Sequence, residues 1–294
     1  MEFDDVPLDD DLSDFSLKNV TRSTDHTTKA PPARRHKDEM IEEASKISGG
    51  EWQELYKRVV GEAFRDGLKL IKEDELDVRR GWRLIDEDDD RSQTHIHPVL
   101  LFELEPSIGD YARTFKVTSV VRGRPDRFLY VIKDHDNDTR SAWDAQEVIS
   151  TQQLETYSPR EGDIQVVKSH VRSPLPMLTS HRFLLGVQSA VYNAENKTHV
   201  YVFKSAPHYY FKCPPEMTQA TALVCIWLSA MSRDECEIKM VVAVDAGNLW
   251  TAAPFLRRYE NKLRERIVLW QRVVDEWDRY YGPKRDPKKV ENRK

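Results

Sequence analysis

Between residues 254 and 281 the chain places Leu256, Tyr259, Leu263, Ile267, Trp270, Val274, Trp277 and Tyr281 three or four positions apart throughout. That spacing puts all eight on one face of a single long helix. Pro254 opens the helix and Gly282-Pro283 ends it. Arg257, Arg258, Lys262, Arg264 and Arg272 fall on the opposite face. A stripe this long needs an apolar partner of similar length.

The partner is legible upstream. Residues 81–85, 97–104 and 111–121 read as three short strands. Six more follow at 147–157, 163–172, 183–192, 198–205, 222–231 and 237–244. Short polar turns separate the neighbours, among them Asp86–Asp90, Asn193–Lys197 and Ser232–Glu235. Hairpins alone suffice for antiparallel strands, so one curved meander is the economical topology. Before the strands, Trp52, Leu55, Tyr56, Val59, Ala63, Phe64, Leu68 and Ile71 make a second helical stripe. Ser48-Gly-Gly-Glu51 in front of it has capping-box spacing. Lys37–Lys46 reads as a short helix.

Composition limits what such a chain does. With 39% hydrophobic and 32% charged residues it suits a globular core under a charged surface. No apolar run is long enough for a membrane span, and none follows Met1 as a secretory leader would. Three cysteines without metal-ligand spacing (Cys213, Cys225 and Cys236) point to a reducing, cytoplasmic setting. Residues 1–20 carry seven acids and one lysine, and residues 283–294 carry six bases and two acids. An acidic head and a basic tail on a nearly neutral body imply no basic groove and no nucleic acid. The expected division is a tail over 1–36, one domain over 37–282 with its core at 50–281, and a second tail from 283 to 294. The acidic tail could dock a protein partner.

One stretch carries more than pattern. In Arg122–Ala145, Gly123 and Pro125 turn the chain into a short helix whose Phe128, Leu129, Val131 and Ile132 want a core. Asp134, Asp136 and Asp138 stop it, and Arg140-Ser-Ala-Trp143-Asp144 leads into the next strand. This resembles the StAR-related lipid-transfer (START) family, in which a short helix and an acid-rich turn precede Arg-x-x-Trp-Asp. The element order resembles it too, as does Asp245-x-Gly247-x-Leu249 ahead of the last helix, although the family's glycine and proline spacing is shifted here.

The resemblance implies an α+β helix-grip fold: a curved antiparallel sheet wrapped around a long C-terminal helix, with a lipid-sized cavity between them. It implies one bound lipid; no cofactor and no catalysis are expected. Candidate ligand contacts are Tyr201, Phe203, Trp227, Met231, Met240 and Val242 on strands, and Phe255, Tyr259, Leu263 and Ile267 on the last helix. Plain core packing is the competing reading for each. Trp250, Arg257 and Arg258 at the tunnel mouth are candidate membrane contacts. Sterol-binding members bury an acid–arginine pair on neighbouring strands. The corresponding stretches here, Gln165–Arg172 and Ser180–Gln188, show no acid facing a strand arginine.

Other chemistry has little to stand on. His95 and His97 beside Asp86–Asp90 form no ligand set at helical spacing. No nucleophile elbow, phosphate loop or metalloprotease motif occurs, and His170 and His181 merely flank a turn. Two alternatives stay open: a scaffold whose helix-grip domain is filled by its own side chains, and a cyclase-like enzyme acting on an apolar substrate.

Overall fold

The computed structural model describes residues 51–74, 80–88, 98–105, 107–109, 111–157, 163–173, 180–247 and 249–282, with backbone alone at 86–88 and 249–259. The expected tails, the Lys37–Lys46 helix, Ser48, His95 and His97 lie outside these residues. Helix α1 (Trp52–Lys72) buries Trp52, Tyr56, Val59, Val60, Ala63, Leu70 and Ile71, the inner part of its stripe. Its N-cap is Glu51, which makes no side-chain capping bond. The other end is closed from the sheet: Lys116 Nζ donates to the carbonyls of Leu70 (3.3 Å), Ile71 (3.0 Å) and Glu73 (2.7 Å). A buried ammonium thus satisfies helix-end acceptors that would otherwise go unpaired.

Strands β1 (Trp82–Asp88), β2 (Val99–Leu104) and β3 (Arg113–Arg122) follow. The turn expected at Asp86–Asp90 is corrected, because β1 runs on to Asp88 past a register shift between Leu84 and Asp86. Gly123, at φ +126°, then turns the chain where an added Cβ would sit 2.8 Å from Val274. Pro125 opens α2 (Pro125–Lys133). The next stretch is not the expected lead-in to a strand. Asn137–Asp144 forms helix α3, because Asp136 caps it by accepting from the Asp138 N–H at 3.1 Å.

The remaining elements are β4 (Val148–Tyr157), β5 (Ile164–Val171), β6 (Arg182–Asn193), β7 (Thr198–Ser205), β8 (Thr218–Gln219), β9 (Thr221–Ala230), β10 (Glu235–Asp245), α4 (Leu249–Asp275) and α5 (Trp277–Tyr280). The two-residue β8, parallel to β6, is one strand more than the sequence suggested. The sheet runs β1-β2-β3-β10-β9-β7-β6-β5-β4, antiparallel along this path. Gly247 (φ +80°) ends β10 in a turn so close that a Cβ would lie 1.9 Å from Gln219 O. The last helix begins at Leu249, ahead of Pro254. It stops at Asp275, because Glu276 leaves helical geometry (φ −95°, ψ 30°).

Two cores result, one on each face of the sheet. On one, α1 packs against Leu185, Val187, Val200, Val202, Leu223, Cys225 and Val241. On the other, α2 and α4 cover Phe115, Val117, Tyr201, Ile226, Met240 and Val242. Strand alternation assigns the faces: Cys225 and Val241 serve the first core, while Ile226 and Met240 serve the second.

Candidate functional site

Between the second face and α4 lies a cavity of about 170 Å³. Its floor is two registered rows of the sheet. Tyr201, Ile226 and Met240 are paired across β7, β9 and β10, and so are Phe203, Val224 and Val242 one step along. The wall includes every one of these except Phe203. Ile132 of α2 closes one side, and α4 contributes Lys262, Leu263, Arg266 and Trp270.

One side is charged. Arg140 of α3 and Glu147, just before β4, line it opposite Lys262 and Arg266. Asp144, one turn beyond Arg140, accepts from Arg140 Nε at 3.1 Å. Its Oδ2 also lies 2.7 Å from Arg266 Nη1. Glu147 accepts from Arg266 Nη2 and lies 3.7 Å from Lys262 Nζ. Burial lowers the Arg266 guanidinium pKa from its ordinary range, and the Asp144 carboxylate works against that shift. The buried charge is held because it is paired.

A neutral polar network backs the floor. The stretches expected to lack an acid–arginine pair bring Gln165 and Gln188 opposite each other in register. Gln188 Nε2 donates to Gln165 Oε1 at 2.7 Å, and Gln188 Oε1 accepts from the Tyr201 hydroxyl at 2.9 Å. Burial holds that phenol protonated well above its usual range. Gln188 Nε2 also lies 2.6 Å from His135 Nε2, and His135 Nδ1 is 3.2 Å from Thr151 Oγ1. Burial first, and then the Arg140 charge, push the His135 pKa down to about 4.

The candidate residues are distributed unevenly around this space. Tyr201, Met240, Val242 and Leu263 form its wall. Phe203 and Ile267 share the same core without lining the cavity. Trp227 does not face it. It pairs with Val200 and Lys239 and packs on the α1 side, one residue out of phase with Ile226. Met231 is also misplaced, because it sits 61% exposed at the tip of the β9–β10 hairpin. Phe255 and Tyr259 belong to α4, as do Trp250, Arg257 and Arg258, but their side chains lie outside the described ones.

Ile132, Arg140, Glu147, Val224, Ile226, Lys262, Arg266 and Trp270 were not among the candidates. Arg140 and Asp144 stand at i and i+4 inside the quoted motif, and Lys262 and Arg266 repeat that spacing on the last helix. Two such pairs facing each other were the available signal. Lys262, placed by its spacing on the face opposite the apolar stripe, turns toward Glu147. Among the described residues no group of three His, Cys, Asp or Glu side chains could hold a metal ion. None of their helices is long and apolar enough to cross a membrane.

Solved structures share this fold. Human StAR-related lipid transfer protein 5 superimposes with a TM-score of 0.61 at 12% identity, over 76% of this chain and 99% of that one. The protein has the START fold. Human STARD10 gives a TM-score of 0.59 at 14% identity, over 79% of this chain and 87% of its own. The lipid transfer and protein localization domain of human StarD13 gives 0.53 at 12%, over 66% and 89%. No family model matches the sequence, and no curated protein does. At these identities the likeness is one of START architecture.

Proposed function

We propose that this protein binds a single lipid between the sheet and α4, without catalysis, and carries or senses it. The cavity supports this most directly: its floor is apolar and its charged wall lies to one side. Apolar chains would lie on Ile226, Met240, Val224 and Val242, gaining about 25 cal/mol per Å² buried. The polar head would lie by Arg140, Glu147, Lys262 and Arg266, with Tyr201 as an uncharged partner. The paired glutamines speak for a lipid other than a sterol. Names of the START-fold structures, which include lipid transfer proteins, agree with this reading.

At about 170 Å³ the space is smaller than the roughly 300–1,000 Å³ of ordinary ligand pockets. Loading therefore requires the first part of α4 to yield. The Arg113–Glu260 ion pair (2.6 Å) and the Arg266–Asp144 and Arg266–Glu147 pairs would part or shift. Trp250, Arg257 and Arg258 would meet the membrane during that step, in a cytoplasmic protein. The domain would span 37–282, with 1–36 and 283–294 as tails and the acidic tail free for a protein partner.

The small cavity also favours a second reading, a scaffold whose domain is filled by its own side chains. Native mass spectrometry of protein purified from a eukaryotic host separates the two. One lipid per chain, lost in the cavity-filling variant Val224→Trp but kept in Trp227→Ala, is the expected result. A ligand-free mass with no uptake from mixed liposomes would establish the scaffold instead.

A further inference from the structure

The wall of the cavity contains an unmet hydrogen bond. Trp270 is buried and forms part of the wall, yet its indole N–H has no acceptor among the described residues. Nearly all buried polar groups in folded proteins are paired, so an orphan in a cavity wall calls for a partner from elsewhere. No acceptor among the described residues stands in hydrogen-bonding geometry to it. One turn earlier, Arg266 Nη1 lies 2.7 Å from Asp144 Oδ2 but outside hydrogen-bonding direction, and Asp144 Oδ1 is itself unmatched. Ile132, Ile226 and Met240, which line the cavity with Trp270, bring no side-chain oxygen or nitrogen to it.

Nor is the indole placed loosely. The next residue, Gln271, accepts from the Arg122 N–H (2.7 Å) and donates to the Arg122 carbonyl (2.8 Å). It thereby ties this turn of α4 to the end of β3. The part of the helix carrying Trp270 is therefore fixed, while the Leu263 end borders the segment that must yield. A ligand entering from that side meets Trp270 last.

We infer that Trp270 is a ligand-binding residue whose N–H donates to an acceptor oxygen on the buried part of the ligand. This rests on the lipid-binding reading above and adds a chemical class to it. The ligand is an acyl lipid with an ester or amide carbonyl, rather than a hydrocarbon or alkyl-ether lipid lacking one. The donor has no acid or base role, since an indole N–H neither gains nor loses a proton in the accessible pH range.

The test uses the full chain and vesicles containing equal amounts of diester and diether glycerophospholipids with matched chains. Choline, ethanolamine and serine heads are present in both sets, and uptake is read by native mass spectrometry. Wild-type protein should take up the diester form about three- to tenfold more, the range expected for one neutral hydrogen bond. Trp270→Phe should bring that ratio close to one while still loading lipid. A measurement on unmutated protein accompanies it. One of the seven indole N–H resonances should move downfield with diester lipid and not with diether lipid. Equal wild-type uptake of both forms, or an ester preference retained by Trp270→Phe, overturns the inference and leaves lipid binding intact. Uptake of neither form by wild type overturns both.

Discussion

His135 gives the protein a pH dependence whose size can be worked out. Its Nε2 faces Gln188 Nε2 at 2.6 Å, so the ring nitrogen must accept and the imidazole must be neutral. Protonation would set N–H against N–H and bury a charge beside Arg140. Burial first, and then the Arg140 charge, lower the ring's pKa from 6.5 to about 4. The folded state then binds fewer protons than the unfolded chain, so stability rises with pH across this window. It is fully retained above 6.5 and lost progressively as pH falls toward 4. At 1.36 kcal/mol per pKa unit the whole loss is roughly 3 kcal/mol, and about 2 kcal/mol of it is spent by pH 5. Urea unfolding of wild type and His135→Gln at pH 7, 6, 5 and 4.5 isolates the contribution, because the other titrating groups are common to both. The wild-type curve should fall away from the variant's by about 2 kcal/mol between pH 7 and 5. Parallel curves would refute the reasoning and place the ring in water.

Further substitutions test other contacts. Lys116→Met leaves three helix-end carbonyls without their donor, and should cost about 2–4 kcal/mol in chemical unfolding, with faster amide exchange at the end of α1. Asp144→Ala leaves the buried Arg266 with Glu147 as its one remaining carboxylate partner among the described residues and should cost about 1–3 kcal/mol, whereas adding Arg266→Met should recover part of that loss. Equal damage in the single and double variants would show that the pairing is not what holds the charge. Gln271→Leu, which removes the clamp on Arg122, should cost about 1–3 kcal/mol and raise amide exchange along the second half of α4.

Much of the architecture was legible because it rests on periodicity. Alternation in residues 222–244 and the three-to-four spacing after 254 both report burial on one face, and burial is what organises a sheet gripping a helix. Local capping misled where it competes with pattern. The acids at 134–138 do end α2, with Asp134 as its C-cap, but Asp136 then starts α3 with its side chain where a lead-in to a strand was expected. Trp227 shows the limit at the site itself. In a strand covered on both faces, neighbouring residues are equally apolar, and no sequence signal says which of Ile226 and Trp227 faces the cavity. Arg266 was hidden for the opposite reason. A basic residue on a helix reads as solvated until the carboxylates across from it, Asp144 and Glu147, are placed in space.

The clamp at Gln271 makes the closing helix a cantilever. From Leu249 to Trp270 it runs 22 residues along the sheet from that support, and at 1.5 Å per residue the beam is about 33 Å long. A tilt of only about 10° at the support would carry the Leu249 end through about 6 Å by that length. If the last helix yields to a lipid as proposed, a displacement hardly visible beside Arg122 would become a doorway at the other end.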